Sequence, residues 1–202
     1  MYKKILKPIL FHFDPEHVHD FFVSFGIILG LFIVTRWIVR IFCHYDNPIL
    51  YSQVAGIKFK NLNTDKLDVI LNVVDRYPFI DGFVVGNLSK RREKLHLISS
   101  QEELNVIPQG GISELSTKNL STALIRHIYK KIYGKYVIIG LGGIFTAEDT
   151  YEKIKAGAWI VQIITGLIYG GPQTVKRINK GLVEFLKSDG YANIAEAVGK
   201  ET

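Results

Sequence analysis

The chain has 202 residues, enough for one domain with a small appendage, and its 48% apolar and 22% charged content is close to an ordinary globular mix, so disorder is not the default reading. The net charge of +6 suits anionic lipid surfaces or phosphate-bearing ligands. Its basic residues are scattered, and the densest run, Lys90-Arg91-Arg92, reads as a short solvated loop, so no nucleic-acid partner is indicated. A single cysteine, Cys43, excludes an intrachain disulfide and a cysteine-rich metal site and fits a reducing cytoplasm.

Tyr2 to Phe13 has a helical pattern, and Asp14-Pro15 opens a second helix with Pro15 at its first position. No small-residue cleavage pattern follows the first residues, so no cleavable signal peptide is expected. His12, His17 and His19 lack carboxylate or cysteine partners at metal-site spacing; surface or interface histidines are the plainer reading, and no metal is expected. Phe21 to Val34 is very apolar but shorter than the ~20 residues a spanning helix needs. Arg36 and Arg40, with Trp37 between them, suit a helix lying in the membrane interface; a tilted span and a buried core helix are the alternatives.

The pattern changes near Asn47-Pro48, which divides an N-terminal helical pair (residues 1–46) from a β/α region (residues 47–202). Asp65 to Tyr77 has helical spacing, and Asp81 to Asn87 reads as a buried strand. Ser121 to Tyr133 follows as a helix capped by Ser121 or Thr122, then Tyr136 to Leu141 as a second buried strand. Thr146 caps a helix over Ala147 to Ala156, with Asp149 completing a capping box. Trp159 to Ile164 is a third strand, and Pro172 to Ser188 a last amphipathic helix closed by Gly190. Continuous apolar strands alternating with helices indicate parallel β/α units. Three convincing strands are too few for a closed barrel of about eight. The predicted fold class is therefore α/β, an incomplete (β/α)8 TIM barrel made of its last three β/α units, preceded by the helical pair.

The clearest local feature is Gly140-Leu141-Gly142-Gly143, leaving a strand and entering a helix. Glycines there let backbone N–H groups approach a phosphate, and a helix N-terminus adds its positive end. Tight turns alone would explain the same glycines, but Thr165-Gly166 one β/α unit later favours phosphate, since barrels commonly bind it on their last two loops. Asn87 ends a strand where barrel enzymes place ligand-contacting side chains, although an Asn in a turn is the simpler reading.

Together the segments resemble the quinone-dependent (class 2) dihydroorotate dehydrogenases. Tyr2 to His19, with Asp14-Pro15-Glu16-His17-Val18-His19, is similar to the family's helical start, and Val54 to Asn61 to its barrel entry. Asp81 to Asn87 resembles the strand ending in the family's Thr-Asn-Thr. Gly110-Gly111-Ile112-Ser113, with Leu120-Ser121-Thr122 after it, resembles the Gly-Gly-Leu-Ser-Gly region. Ile138 to Gly143, Glu152 to Ala158, Val161-Gln162, Gly171-Pro172 and Gly190 to Gly199 match the last units and tail.

The resemblance implies an FMN-holding α/β barrel that oxidises dihydroorotate to orotate in pyrimidine biosynthesis and passes electrons to quinone. It also implies a helical pair docked on the cytoplasmic face of a membrane, with His19 on the helix lining the quinone entry. By position, Gly142 and Gly143 would hold the FMN phosphate with Ile164 and Thr165 beside them, Gly86 would lie near the flavin, and Asn87 and Leu88 would face the pyrimidine.

After Asn61 the family continues into Pro-Val-Gly-Leu-Ala-Ala-Gly-Phe-Asp-Lys-Asn, whereas here Leu62-Asn63-Thr64-Asp65 resembles a segment that normally comes only after five strands. Such an internal gap removes the family's serine base, its flavin and orotate lysines, and the asparagines gripping both, so no catalytic residue is assigned. Gly86 and Leu88 replace threonines, Ile164 replaces a tyrosine, and Glu114 replaces a flavin-phosphate glycine with a carboxylate that repels phosphate. The implied function is that oxidation, impaired. The alternatives are a non-catalytic membrane-associated remnant or a phosphate-ligand-binding half-barrel, with a partner chain or self-association covering its open edges.

Overall fold

The computed structural model describes residues 2–13, 15–43, 59–62, 67–77, 79–86, Ile112 and 115–201. Tyr2–Leu6 forms a π-helical stretch leading into the short helix α1 (Lys7–Leu10), which carries Pro8 in its first turn. Helix α2 (Pro15–Leu31) opens at Pro15, where a missing N–H costs nothing. Helix α3 (Ile33–Cys43) follows after a break at Phe32. The bent pair meets at 112°.

The break has a local cause. Thr35 Oγ1 donates to the carbonyls of Leu29 and, at 2.9 Å, Phe32, while Arg36 Nε donates to the carbonyl of Gly30. These side chains serve carbonyls that the end of α2 leaves without intrahelical partners. The apolar run from Phe21 to Val34 is thus two helices. Among the described residues no single helix is long and apolar enough to cross a membrane, though Asp20–Leu31 with Ile33–Ile41 passes that test as a bent pair by length and composition. Ile33 and Trp37 are 83% and 64% exposed.

The rest is built on a parallel sheet of four strands in the order β1 (Phe59–Leu62), β2 (Gly82–Val85), β3 (Val137–Leu141) and β4 (Ile160–Gln162). Helix α4 (Leu67–Val74) connects β1 to β2. A 3-10 turn (Leu115–Thr117) leads into α5 (Lys118–Ile132), α6 (Ala147–Lys155) joins β3 to β4, and α7 (Thr165–Gly170), α8 (Thr174–Ser188) and a 3-10 turn (Ile194–Ala197) close the chain. The partial α/β barrel expected from the sequence is present, with one strand more than the three anticipated. β1 is Phe-Lys-Asn-Leu, too polar to read as a buried strand; it is defined by its in-register pairing with Gly82–Val85.

Phe83, Val85 and Ile138 point from the sheet into a core completed by Leu71 and Val74 of α4 and Ile125, Ile128 and Ile132 of α5. A second core joins Tyr151 and Ile154 of α6 to Ile178, Leu182 and Leu186 of α8. Each fully buried side chain of this size contributes about 1.5–3 kcal/mol. The boundary near Asn47-Pro48 lies outside the described residues. Lys7 and Phe11 of the N-terminal segment nevertheless meet Tyr169 of α7, with Lys7 Nζ 4.2 Å from the ring centre and the two rings 5.7 Å apart.

Candidate phosphate site at the strand ends

β3 ends at Leu141 and turns through Gly142 (φ 103°) and Gly143 (φ 65°), both in the left-handed region that side chains disfavour. A β-carbon at Gly143 would lie 2.5 Å from the Lys118 backbone, so this turn seats itself against the start of α5 only because no side chain intervenes. Gly86 ends β2 at φ 101°, where a β-carbon would meet the Leu141 carbonyl oxygen at 2.1 Å. In the first turn of α7, just after β4, a β-carbon on Gly166 would lie 2.1 Å from the Ile144 carbonyl oxygen. Backbone therefore packs directly on backbone where three strands end.

A pocket opens between two of these turns, lined by residues 141–145 and 162–166. It brings together four sequence-predicted positions: Gly142, Gly143, Ile164 and Thr165. Gly86 stands behind it, against Leu141. Asn87, Leu88 and Glu114 lie outside the described residues, as do Gly110 and Gly111. Among the described residues no carboxylate lines the pocket, and the cradle of close-packed glycine backbone fits a phosphate group such as that of FMN.

The first turn of the helix after Gly142-Gly143 carries its own capping box. Asp149 Oδ2 accepts from the N–H groups of Phe145 and Thr146 at 2.9 and 3.0 Å, and Thr146 Oγ1 accepts from the Asp149 N–H at 3.2 Å. Sequence alone identifies this cap correctly, and it takes the N–H groups of Phe145, Thr146 and Asp149. The turn after β4 differs, because Ile164, the residue before α7, supplies no side-chain cap.

Below the turn is a cluster that the sequence did not single out. Lys153 of α6 is wholly buried, and its Nζ donates to Ser121 Oγ, to Thr122 Oγ1 at 3.0 Å and to the Lys118 carbonyl at 3.4 Å. Ser121 Oγ lies 3.2 Å from the Gly142 carbonyl oxygen, so the amine is tied through it to the glycine turn. Burial pushes the Lys153 amine down to about 8. Ser121 and Thr122, expected as caps, sit inside α5 instead, because the turn at Leu115–Thr117 starts the helix earlier. Lys118 Nζ bridges Asp149 at 2.7 Å and Glu152 at 3.1 Å. Burial opposes ionisation of Asp149, but Lys118 and the two backbone donors outweigh it and hold the carboxyl below its usual range. The only sequence signal for the cluster was a lysine beside Ile154 on the inward face of α6.

Among the described residues no group of three or more His, Cys, Asp or Glu is placed to hold a metal.

A match to the dihydroorotate dehydrogenase family covers residues 42–186. The dihydroorotate dehydrogenase (quinone) of Synechocystis sp. is 40% identical over 161 residues, covering 79% of this chain and 41% of the relative. That of Nautilia profundicola is 38% identical over 156 residues, covering 77% and 40%. The crystal structure of the ligand-free enzyme from Eimeria tenella superposes with a TM-score of 0.62 at 29% identity, over 71% of this chain and 39% of that one. The chain thus spans about two fifths of the length of the relatives it matches.

Proposed function

The chain belongs to the dihydroorotate dehydrogenase family, and on that premise we propose that it keeps the flavin-phosphate end of a quinone-dependent enzyme's site while its oxidation of dihydroorotate is impaired. The observation that carries this reading is the pocket formed by the turns after β3 and β4, where Gly143 and Gly166 leave no room for a side chain. Gly142, Gly143, Thr165 and Gly166 would hold the FMN phosphate through their backbone, with Ile164 beside it. When bound, FMN supplies the two-electron chemistry that links dihydroorotate to quinone.

What the chain's own residues lack is the proton step. The family's serine base and the lysines around flavin and orotate belong to the stretch missing after Asn61. Losing a positioned base costs on the order of a hundred- to ten-thousand-fold in rate. Losing the side chains that grip orotate removes positioning as well. Asn87 and Leu88 would remain as pyrimidine contacts.

The N-terminal helices are read as lying on the cytoplasmic face of a membrane, where quinone would be reached. Supporting this are the exposed Phe21, Ile27, Leu31, Ile33 and Trp37, with the basic Arg36 and Arg40 in the same segment.

The test is flavin absorbance of the purified chain, followed by quinone reduction on adding dihydroorotate. Weak or substoichiometric flavin with turnover at least a hundredfold below an intact family member is expected. Turnover at ordinary enzymatic rates would overturn the reading.

A further inference from the structure

We propose that two copies of this chain associate about a twofold axis running along the strands, so that β4 of each copy pairs with β1 of the other and the two sheets close one barrel. This goes beyond the flavin reading and does not depend on it.

The first observation is the sheet face on which, among the described residues, no helix of either core packs. Register places Val84, Ile139 and Ile160 in one row across β2, β3 and β4, with Val137 and Leu141 on the same face. None of these five belongs to either hydrophobic core, and Ile160 is 38% exposed, whereas Phe83, Val85 and Ile138 on the opposite face are fully buried. The helices that build the two cores therefore pack on the sheet from one side. Parallel sheets are almost always covered on both faces.

The second observation is the pair of edges. Among the described residues β1 and β4 each have one strand neighbour, so within the described sheet each leaves a row of backbone N–H and C=O groups without ladder partners. A lipid surface or a partner helix could cover the aliphatic face but could not pair two edges. A single added strand would pair only one.

A second copy meets every requirement. The described sheet has four parallel strands in sequential order, and a closed β/α barrel has about eight. A twofold axis parallel to the strands preserves strand direction, presents β1 of one copy to β4 of the other at both seams, and faces the two aliphatic surfaces inward. Such a closed isologous arrangement leaves no edge to propagate into fibres. It also keeps the helices outside and sets both phosphate pockets at the same mouth.

The experiment is the protein mass of the full chain in a mild non-ionic detergent, measured by light scattering with the detergent contribution subtracted. Twice 22.9 kDa is expected. Ile160→Glu at the open edge and Ile139→Glu at the centre of the face should halve that mass while the far-ultraviolet circular dichroism persists. Trp37→Glu, on the N-terminal helices, should leave it unchanged. A wild-type monomer at tens of micromolar or a polydisperse assembly overturns the proposal. So does a dimer that survives both sheet variants or is lost in Trp37→Glu. If the glutamate variants unfold, the wild-type mass and the Trp37→Glu result decide.

Discussion

The ammonium of Lys153 donates to the hydroxyl of Ser121, linking a wholly buried charge on α6 to the glycine turn that shapes the phosphate pocket. Among the described residues its hydrogen-bond partners are two hydroxyls and a carbonyl, with no carboxylate oxygen. Its position is a compromise between positioning and desolvation.

That compromise has a pH signature. Burial pushes the Lys153 amine down to about 8 in the folded chain, against its ordinary value of 10.5 when unfolded. Between those values the unfolded state binds more protons, so stability rises with pH across that window, by up to about 3 kcal/mol. Lys153→Met, which removes the charge but keeps most of the volume, should abolish the rise between pH 7.5 and 9.5 and equal or exceed the wild type at pH 7. Lys153→Ala should instead lose about 2–5 kcal/mol through the cavity it leaves. Urea midpoints at the two pH values check both. An unchanged slope in Lys153→Met would assign the pH dependence to another group.

The cap of α6 gives a second measurement. Thr146→Ala removes one acceptor and should cost about 1 kcal/mol. Asp149→Ala should cost more, because it strands the N–H groups of Phe145 and Thr146 and takes a partner from Lys118. The Asp149 carboxyl titrates below its unfolded value of 3.8, so its contribution is complete above that pH and fades as pH falls through the lower folded value. The gap between wild type and Asp149→Ala should therefore narrow in strong acid. Denaturant midpoints at pH 7 and pH 3 would show it.

Gly143→Ala and Gly166→Ala test the pocket itself. At Gly143 a β-carbon meets the Lys118 backbone and φ is 65°; at Gly166 it meets the Ile144 carbonyl. Strain of this kind costs about 1–3 kcal/mol. More tellingly, opening either turn should weaken FMN at least tenfold, read by quenching of flavin fluorescence. Gly190→Ala, also at positive φ but with open space around it and far from the pocket in the chain, should lose stability without losing flavin. Equal flavin affinity in all three variants would place the phosphate elsewhere.

Features set by neighbours in the chain were legible in the sequence. The Thr146–Asp149 box needs residues three apart, and Pro15 and the Gly142-Gly143 turn state their backbone preferences directly. Features set by distant partners were not. β1 becomes a strand through pairing with residues more than twenty positions away, and Lys153 is buried because residues 118–122 come to it from another unit. The break at Phe32 is intermediate: the residues responsible, Thr35 and Arg36, are close by, but their side chains had to turn back onto the helix behind them.

The N-terminal helices carry the last prediction. Their exposed apolar residues, from Phe21 through Ile27 to Trp37, form no part of either described core, and Arg36 and Arg40 lie at the same end. Burying even a few such side chains in a bilayer interface yields about 1.5–3 kcal/mol each, and each basic residue near an anionic surface adds about 1 kcal/mol. Deleting residues 2–42 should therefore abolish cosedimentation with anionic liposomes. Trp37→Glu with Ile33→Glu should weaken it several-fold, and replacing Arg36 and Arg40 by Gln should weaken it on anionic but not on neutral vesicles. The 112° bend makes the two readings of this segment separable. A helix pair lying in the interface keeps Trp37 within reach of water-soluble quenchers added outside the vesicles, whereas a span would carry part of the segment beyond them. Sedimentation unchanged by the deletion would remove the membrane from the account and leave these apolar faces to a protein partner.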